Sequence, residues 1–213
     1  LPDLTLDVAA LRAAVGPRTR AIVLNSPHNP TGKVFSRAEL IEVGRVALAA
    51  GCWVVCDEVY EHLTYDVAHV PLAALATTEP ALAGLAERVL TISSAGKTFS
   101  VTGWKVGWVT GPAAGVAAVA TVKQYLSFSG GAPFQPAVAV GLGQDDEAYA
   151  ALTDSLRSRR DLLARGLAEA GFGVLGGQGT YFLLADAGPL GVRDAEAFCR
   201  QLPARAGVAA IPV

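Results

Sequence analysis

Apolar positions along the chain fall into short continuous runs and longer stripes at helical spacing. Together they predict strands alternating with helices. Residues 20–25, 52–56, 89–93 and 106–109 are short apolar runs rich in β-branched side chains, the pattern of strands buried on both faces. Residues 7–15 read as a short helix with Leu6 and Asp7 near its start. Residues 26–33 are dense in Pro, Asn and Gly and predict a loop. Ser36-Arg37-Ala38-Glu39 is a capping box: the Ser oxygen and Glu carboxylate satisfy free backbone donors where a helix begins. That helix runs through Leu40, Val43, Val46 and Leu48, and Gly51 stops it. A weaker helical signal covers 80–87. Helical patterns dominate 113–170, and the longest, 145–170, puts Leu156, Leu162, Leu163 and Leu167 on one side. Residues 172–175 and 181–185 predict strands around a Gly-rich turn, 194–202 a helix and 207–211 a strand.

This alternation predicts an α/β fold with a mostly parallel sheet flanked by helices on both faces. The last third predicts the start of a smaller α+β domain, so the expected division is 1–150 and 151–213, each part incomplete. The ends look cut. There is no methionine, Leu1-Pro2-Asp3 reads as mid-loop, and 208–213 reads as a strand with nothing after it, as in an internal piece of a longer protein.

A chain of 213 residues can bury a core without disulfides or metals, and 52% hydrophobic against 17% charged residues excludes disorder for most of it. The net charge of −2 offers no basic field to nucleic acid. Three cysteines make no disulfide framework, and the odd count points to a reducing compartment, hence a cytoplasmic location. Mean hydropathy is +0.39, yet the longest apolar stretch, 106–122, is broken by Gly107, Gly111, Pro112 and Gly115. It predicts strand, turn and helix start, not a membrane span. No cationic start precedes an apolar run at the N-terminus, so no signal peptide is expected.

Ligands of open α/β sheets bind beyond the carboxyl ends of the strands. Three predicted strand ends carry polar groups that apolar strands do not need: 25–32 (NSPHNPTG), 57–60 (DEVY) and 93–97 (SSAGK), the last followed by 103–107 (GWKVG). Each alone is an ordinary turn, cap or solvated lysine. Together, in one order on successive strand ends, they gather a carboxylate, a phenol, an amide, a hydroxyl and two amines around one crevice. Pyridoxal phosphate would use them all: an amine for its aldehyde, an anion for its ring nitrogen, donors for its phenolate, and cations and hydroxyls for its phosphate.

With these segments the chain resembles the class I aminotransferases of the pyridoxal-phosphate fold-type I group, and the resemblance spans essentially its whole length. It implies roles for particular residues. Lys97 matches the family's Schiff-base lysine, which also moves a proton from the substrate's Cα. Asp57 matches the partner of the pyridine nitrogen, Tyr60 and Asn29 the donors to the phenolic oxygen, and Ser94 and Lys105 the phosphate contacts. Pro27 and Pro30 are candidates for cis bonds that aim the Asn29 amide. Phrases at 57–65, 94–112 and 179–186 (GTYFLLAD) resemble the kynurenine/glutamine and N-succinyldiaminopimelate aminotransferases, the latter being the narrower expectation.

The resemblance also implies an N-terminal phosphate loop, a ring-stacking aromatic and a C-terminal arginine for the substrate carboxylate, none within these residues. The piece alone is therefore expected not to transaminate efficiently. Amino-acid and 2-oxo acid substrates and a homodimer follow from the same resemblance. A carbon–sulfur β-lyase on the same cofactor is the nearest alternative, and the aminotransferase-like domain of a transcription regulator is a further one. His28 is expected in a turn or in a supporting place behind the site, His62 and His69 in neutral surface or loop roles, and Cys52, Cys56 and Cys199 in packing. Glu58 is expected behind the site or at a helix start. The sequence leaves open whether Trp104 and Tyr125 touch a ligand or a partner chain.

Overall fold

The computed structural model describes residues 4–213, so the loop expected at Leu1-Pro2-Asp3 lies outside the described residues. Helix α1 (Val8–Ala14) begins at Asp7, whose carboxylate accepts the Ala10 N–H at 2.8 Å. Strands β1 (Ala21–Asn25), β2 (Trp53–Asp57) and β3 (Val89–Ser94) form a parallel ladder in that order. Strand β4 (Gly107–Thr110) joins β3 antiparallel, making the sheet mostly parallel.

Helix α2 (Arg37–Ala50) crosses from β1 to β2 and opens with both halves of the expected capping box. Its buried residues Leu40, Val43 and Ala47 recur at i, i+3 and i+7, one face of a helix. That face meets Leu24, Val54, Cys56 and Val89 from the sheet, and Leu72 and Leu75 from α3 (Leu72–Thr78). The helix expected at 80–87 is instead two 3₁₀ turns, Pro80–Leu82 and Leu85–Arg88, separated at Gly84, which takes a left-handed φ of 86°. Leu82 and Leu85 still close the core, each 0% exposed.

Glu39 does more than cap α2. Its carboxylate accepts the Ser36 N–H and the Leu6 N–H, each at 2.9 Å, and pairs with Lys33. Burial pushes this carboxyl up, but the Lys33 hydrogen bond and the two backbone donors outweigh burial and hold it at about 2, against an ordinary 4.5. The folded value lies below the unfolded one. Its stabilisation is therefore complete above the unfolded pKa and lost as pH falls from about 4.5 toward 2. The denaturant midpoint of the full-length protein should drop across that window, and Glu39→Gln should flatten the drop. An unchanged acid slope in the variant would remove Glu39 from the account.

Helices flank the sheet as expected, with the second face covered away from the β1 edge. Gly115 of α5 (Ala113–Leu126) packs on Trp53 and Leu90, but this cover does not reach the β1 edge, where Val23 is 74% exposed. Helices α6 (Gln135–Leu142) and α7 (Asp146–Glu169) follow. Leu162 and Leu163 of α7 are exposed rather than part of a buried stripe. The helix is attached by Tyr149 stacked on His62, 4.5 Å between ring centroids, and by polar bonds: Thr153 Oγ1 donates to the His62 carbonyl at 2.9 Å, and Arg157 Nη2 to the Tyr65 carbonyl at 2.8 Å.

A two-stranded antiparallel sheet pairs β5 (Gly173–Leu175) with β6 (Leu184–Asp186), so the strand expected at 181–185 is shorter and shifted. Helix α8 (Ala195–Ala206) runs four residues past the expected end and closes at Gly207. The strand expected at 207–211 does not form. Apolar β-branched residues alone do not make a strand, and nothing among the described residues pairs with them: Ile211 is 81% exposed. Among the described residues no helix is long and apolar enough to cross a membrane.

Candidate active site

Register brings the polar strand ends together. Asn25 stands opposite Asp57 across β1 and β2, and Asp57 opposite Ile92 across β2 and β3, so all three parallel strands finish at one edge. Asn25 ties its own loop to this edge. Its Nδ2 donates to the Asp57 carbonyl at 3.0 Å, and its Oδ1 accepts the Asn29 N–H at 2.8 Å. The Ser26–Pro27 and Asn29–Pro30 bonds are both cis. At the end of β3, the Ser94 hydroxyl accepts the Gly96 N–H at 3.1 Å and opens the single turn α4 (Ala95–Thr98), which carries Lys97.

Tyr60, buried three residues after Asp57, is the centre of the cluster. The Asn29 side chain donates to its hydroxyl, and Lys97 Nζ lies 5.8 Å from its ring centroid. Lys97 Nζ also donates to the hydroxyl of Tyr181 at 3.0 Å, and Tyr60 donates to the same oxygen at 3.4 Å. The two tyrosine rings meet edge to face, 5.4 Å between centroids. Burial, the hydrogen bond and charge shared with Tyr181, and the Asp57 carboxylate hold the Tyr60 proton on, well above its ordinary pKa; the Asn29 bond pulls the other way. For Tyr181, burial pushes up, but the bonds from Tyr60 and Lys97 and the Lys97 charge prevail and place it below its ordinary value.

Sequence reasoning missed Tyr181, which lies 84 residues from Lys97. The available signal was the Gly-rich turn before it. That turn docks on the loops at the strand ends: Gly179 N donates to the Gly32 carbonyl, Thr180 N to the Leu63 carbonyl, and Tyr65 Oη to the Thr180 carbonyl. The backbone of 179–181 is thereby fixed against the same loops that carry Asn29 and Tyr60.

Other expected residues are placed less centrally. Asp57 Oδ1 accepts the Val59 N–H at 3.4 Å and faces Tyr60 electrostatically. Ser94 also donates to the Val106 carbonyl at 3.3 Å, next to Lys105, which is exposed with a left-handed φ of 55°. Among the described residues no hydrogen bond or ion pair joins Lys105 to the cluster. His28 holds its turn through Thr31 Oγ1 at 2.8 Å. His69 lies in the loop before α3, as expected, but is not a surface residue: its side chain is 6% exposed and its Nε2 meets Glu58 Oε2 at 2.8 Å. Burial and the nearby Glu58 carboxylate push the Cys56 thiol up to about 12, which suits packing and not thiolate chemistry. Two cavities, of about 620 and 660 Å³, lie away from Lys97, one beside Lys33 and Glu39 and one beside Arg12 and Arg45. The Lys97 cluster lies at the open strand edge outside both.

The donor set fits pyridoxal phosphate. A primary amine lies over the ring of a buried phenol, an amide bonds the same phenol, and a carboxylate ends the neighbouring strand, as the groups of that cofactor demand.

The chain is 56% identical over 209 residues to the probable N-succinyldiaminopimelate aminotransferase DapC of Mycobacterium tuberculosis, covering 98% of this chain and 51% of that protein. It is 38% identical over 213 residues to the methionine aminotransferase of Escherichia coli, covering 100% of this chain and 53% of that one. The solved structure of the M. tuberculosis N-succinyldiaminopimelate aminotransferase superposes with a TM-score of 0.93 at 55% identity, over 100% of this chain and 54% of that chain. The chain thus spans about half the length of the curated relatives it matches. Residues 2–213 match the profile described as aminotransferase class I and II, and the chain belongs to that family.

Proposed function

We propose that the whole protein is a pyridoxal-phosphate-dependent aminotransferase moving an amino group between an amino acid and a 2-oxo acid, with N-succinyldiaminopimelate as the first substrate to test. The observation that carries this reading is Lys97 Nζ held by Tyr181 beside Tyr60, at the edge where Asp57 ends β2. The 56% identity to the M. tuberculosis protein supports the narrower substrate. When bound, pyridoxal phosphate supplies an aldehyde for the amino group and a ring that accepts the electron pair released at the substrate's Cα.

The chain's own residues have separable tasks. Lys97 Nζ takes up the Cα proton. The Asp57 carboxylate, at the end of β2, would hold the cofactor's ring nitrogen as a cation. Tyr60 Oη and the Asn29 amide would donate to the cofactor's phenolic oxygen. Ser94 Oγ and the Lys105 ammonium would hold the cofactor's phosphate. A homodimer and a cytoplasmic location belong to the same proposal. The apolar residues Tyr125, Leu126 and Phe128, 84%, 81% and 77% exposed at the end of α5, support a covering partner surface.

The test is the full-length protein with pyridoxal phosphate, N-succinyldiaminopimelate as amino donor and a panel of 2-oxo acids. Turnover that depends on the 2-oxo acid supports the proposal. Pyruvate and thiol release from sulfur-containing amino acids, without any 2-oxo acid, overturns it in favour of a β-lyase. In the active enzyme Asp57→Asn should lower kcat by about 10²-fold, the scale of a lost preorganised charge, and change KM little. A loss of less than about 3-fold would mean that Asp57 holds no charge that the reaction uses.

A further inference from the structure

We propose that Tyr181 is a positioning residue for Lys97, its phenolic oxygen holding the amine in place and exchanging a proton with it. This rests on the aminotransferase reading. The Tyr181 oxygen accepts two hydrogen bonds, from Lys97 Nζ at 3.0 Å and from Tyr60 Oη at 3.4 Å. Two donors aimed at one phenolic oxygen stabilise its anionic form, which agrees with the downward displacement of its ionisation. The titratable groups facing Tyr181 are Lys97 from α4 and Tyr60 from the segment after β2; Asp57 acts on Tyr60.

Lys97 must hold a proton in one step and release it in another, so a fixed acceptor of adjustable charge beside Nζ serves both. Tyr181 is placed for this. Thr180, immediately before it, is 1% exposed with φ 65°, and its N–H and carbonyl are both engaged by the 63–65 segment. Tyr181 as a whole residue is 46% exposed, so substrate can reach it while its backbone stays fixed.

The experiment uses the full-length protein as wild type, Tyr181→Phe and Lys97→Ala. In the cofactor-free protein, tyrosinate absorbance is followed against pH. Wild type should show one tyrosine ionising below the ordinary range. Tyr181→Phe should lose it, and Lys97→Ala should move it upward. Wild type and Tyr181→Phe giving the same titration would overturn the proposal. In the loaded enzyme, Tyr181→Phe should keep cofactor binding and KM within about 3-fold, lower kcat about 10-fold or more, and displace the pH profile of kcat. An unchanged kcat and pH profile would equally overturn it. If borohydride traps no cofactor on Lys97 of wild type, the aminotransferase reading fails, and the cofactor-free titration still decides the Tyr181–Lys97 contact.

Discussion

Lys97→Ala in the full-length enzyme should lower turnover by about 10³-fold or more, because it removes both the amine that engages the cofactor and the base that takes the Cα proton. Positioned acid–base groups contribute about 10² to 10⁴-fold on their own. The fold should survive. Lys97 is half-buried in a single turn whose start is held by Ser94 and whose return is held by the Ala95 N–H on the Val106 carbonyl at 3.1 Å. Neither bond involves the lysine side chain. Lys97→Arg separates charge from chemistry: the guanidinium keeps the positive charge and a donor for Tyr181, yet stays protonated at any working pH. Arginine should therefore be as slow as alanine. Added methylamine should restore part of the alanine variant's rate and none of the arginine variant's. Steady-state turnover with circular dichroism as a check on folding decides the matter. An alanine variant within about 10-fold of wild type would remove Lys97 from the chemistry.

The parts of the site visible in the sequence are those set by local chain chemistry. Strands β1, β2 and β3 announce themselves as apolar runs, and a parallel sheet leaves its polar residues at the carboxyl ends, so Asn25, Asp57 and Ser94 stood out by contrast. The capping box of α2 is a four-residue signal and was readable as such. Helix α3 was not, because Pro71 precedes it and no side chain caps it. The direction of β4 is not encoded in its periodicity; it follows from α4 and a 3₁₀ turn bringing Gly107 back opposite Ser94.

Contacts across long stretches of chain were the least visible. Glu58 and His69 are 11 residues apart with no motif linking them, and only packing shows them as a buried pair. Tyr181 reaches Lys97 because a turn far along the chain docks on two loops, a fact of tertiary geometry that no spacing rule expresses. The segment at 207–211 shows the converse: strand-forming composition without a neighbour to pair with.

The docked turn is also where the second large effect is expected. Gly176→Ala should destabilise the full-length protein by about 3 kcal/mol or more and slow turnover as well. Two costs add. Gly176 has φ 76°, a conformation that costs a residue with a Cβ roughly 1–2 kcal/mol. Its new Cβ would also land on the Thr31 carbonyl oxygen, a backbone atom that cannot turn aside, and overpacking costs typically about 1–3 kcal/mol. Gly84→Ala separates the two. Gly84 has φ 86° but open space where a Cβ would go, so it should show the conformational cost alone, about 1–2 kcal/mol. To relieve the collision at Gly176, the 176–181 segment must move off the 28–33 loop, and Tyr181 must move with it. The variant should therefore lose the downward-displaced tyrosinate signal in proportion to its lost activity, while Gly84→Ala keeps both. Equal denaturant midpoints for the two variants would show that the turn is not held against Thr31, and that Tyr181 owes its place to its own side-chain contacts instead.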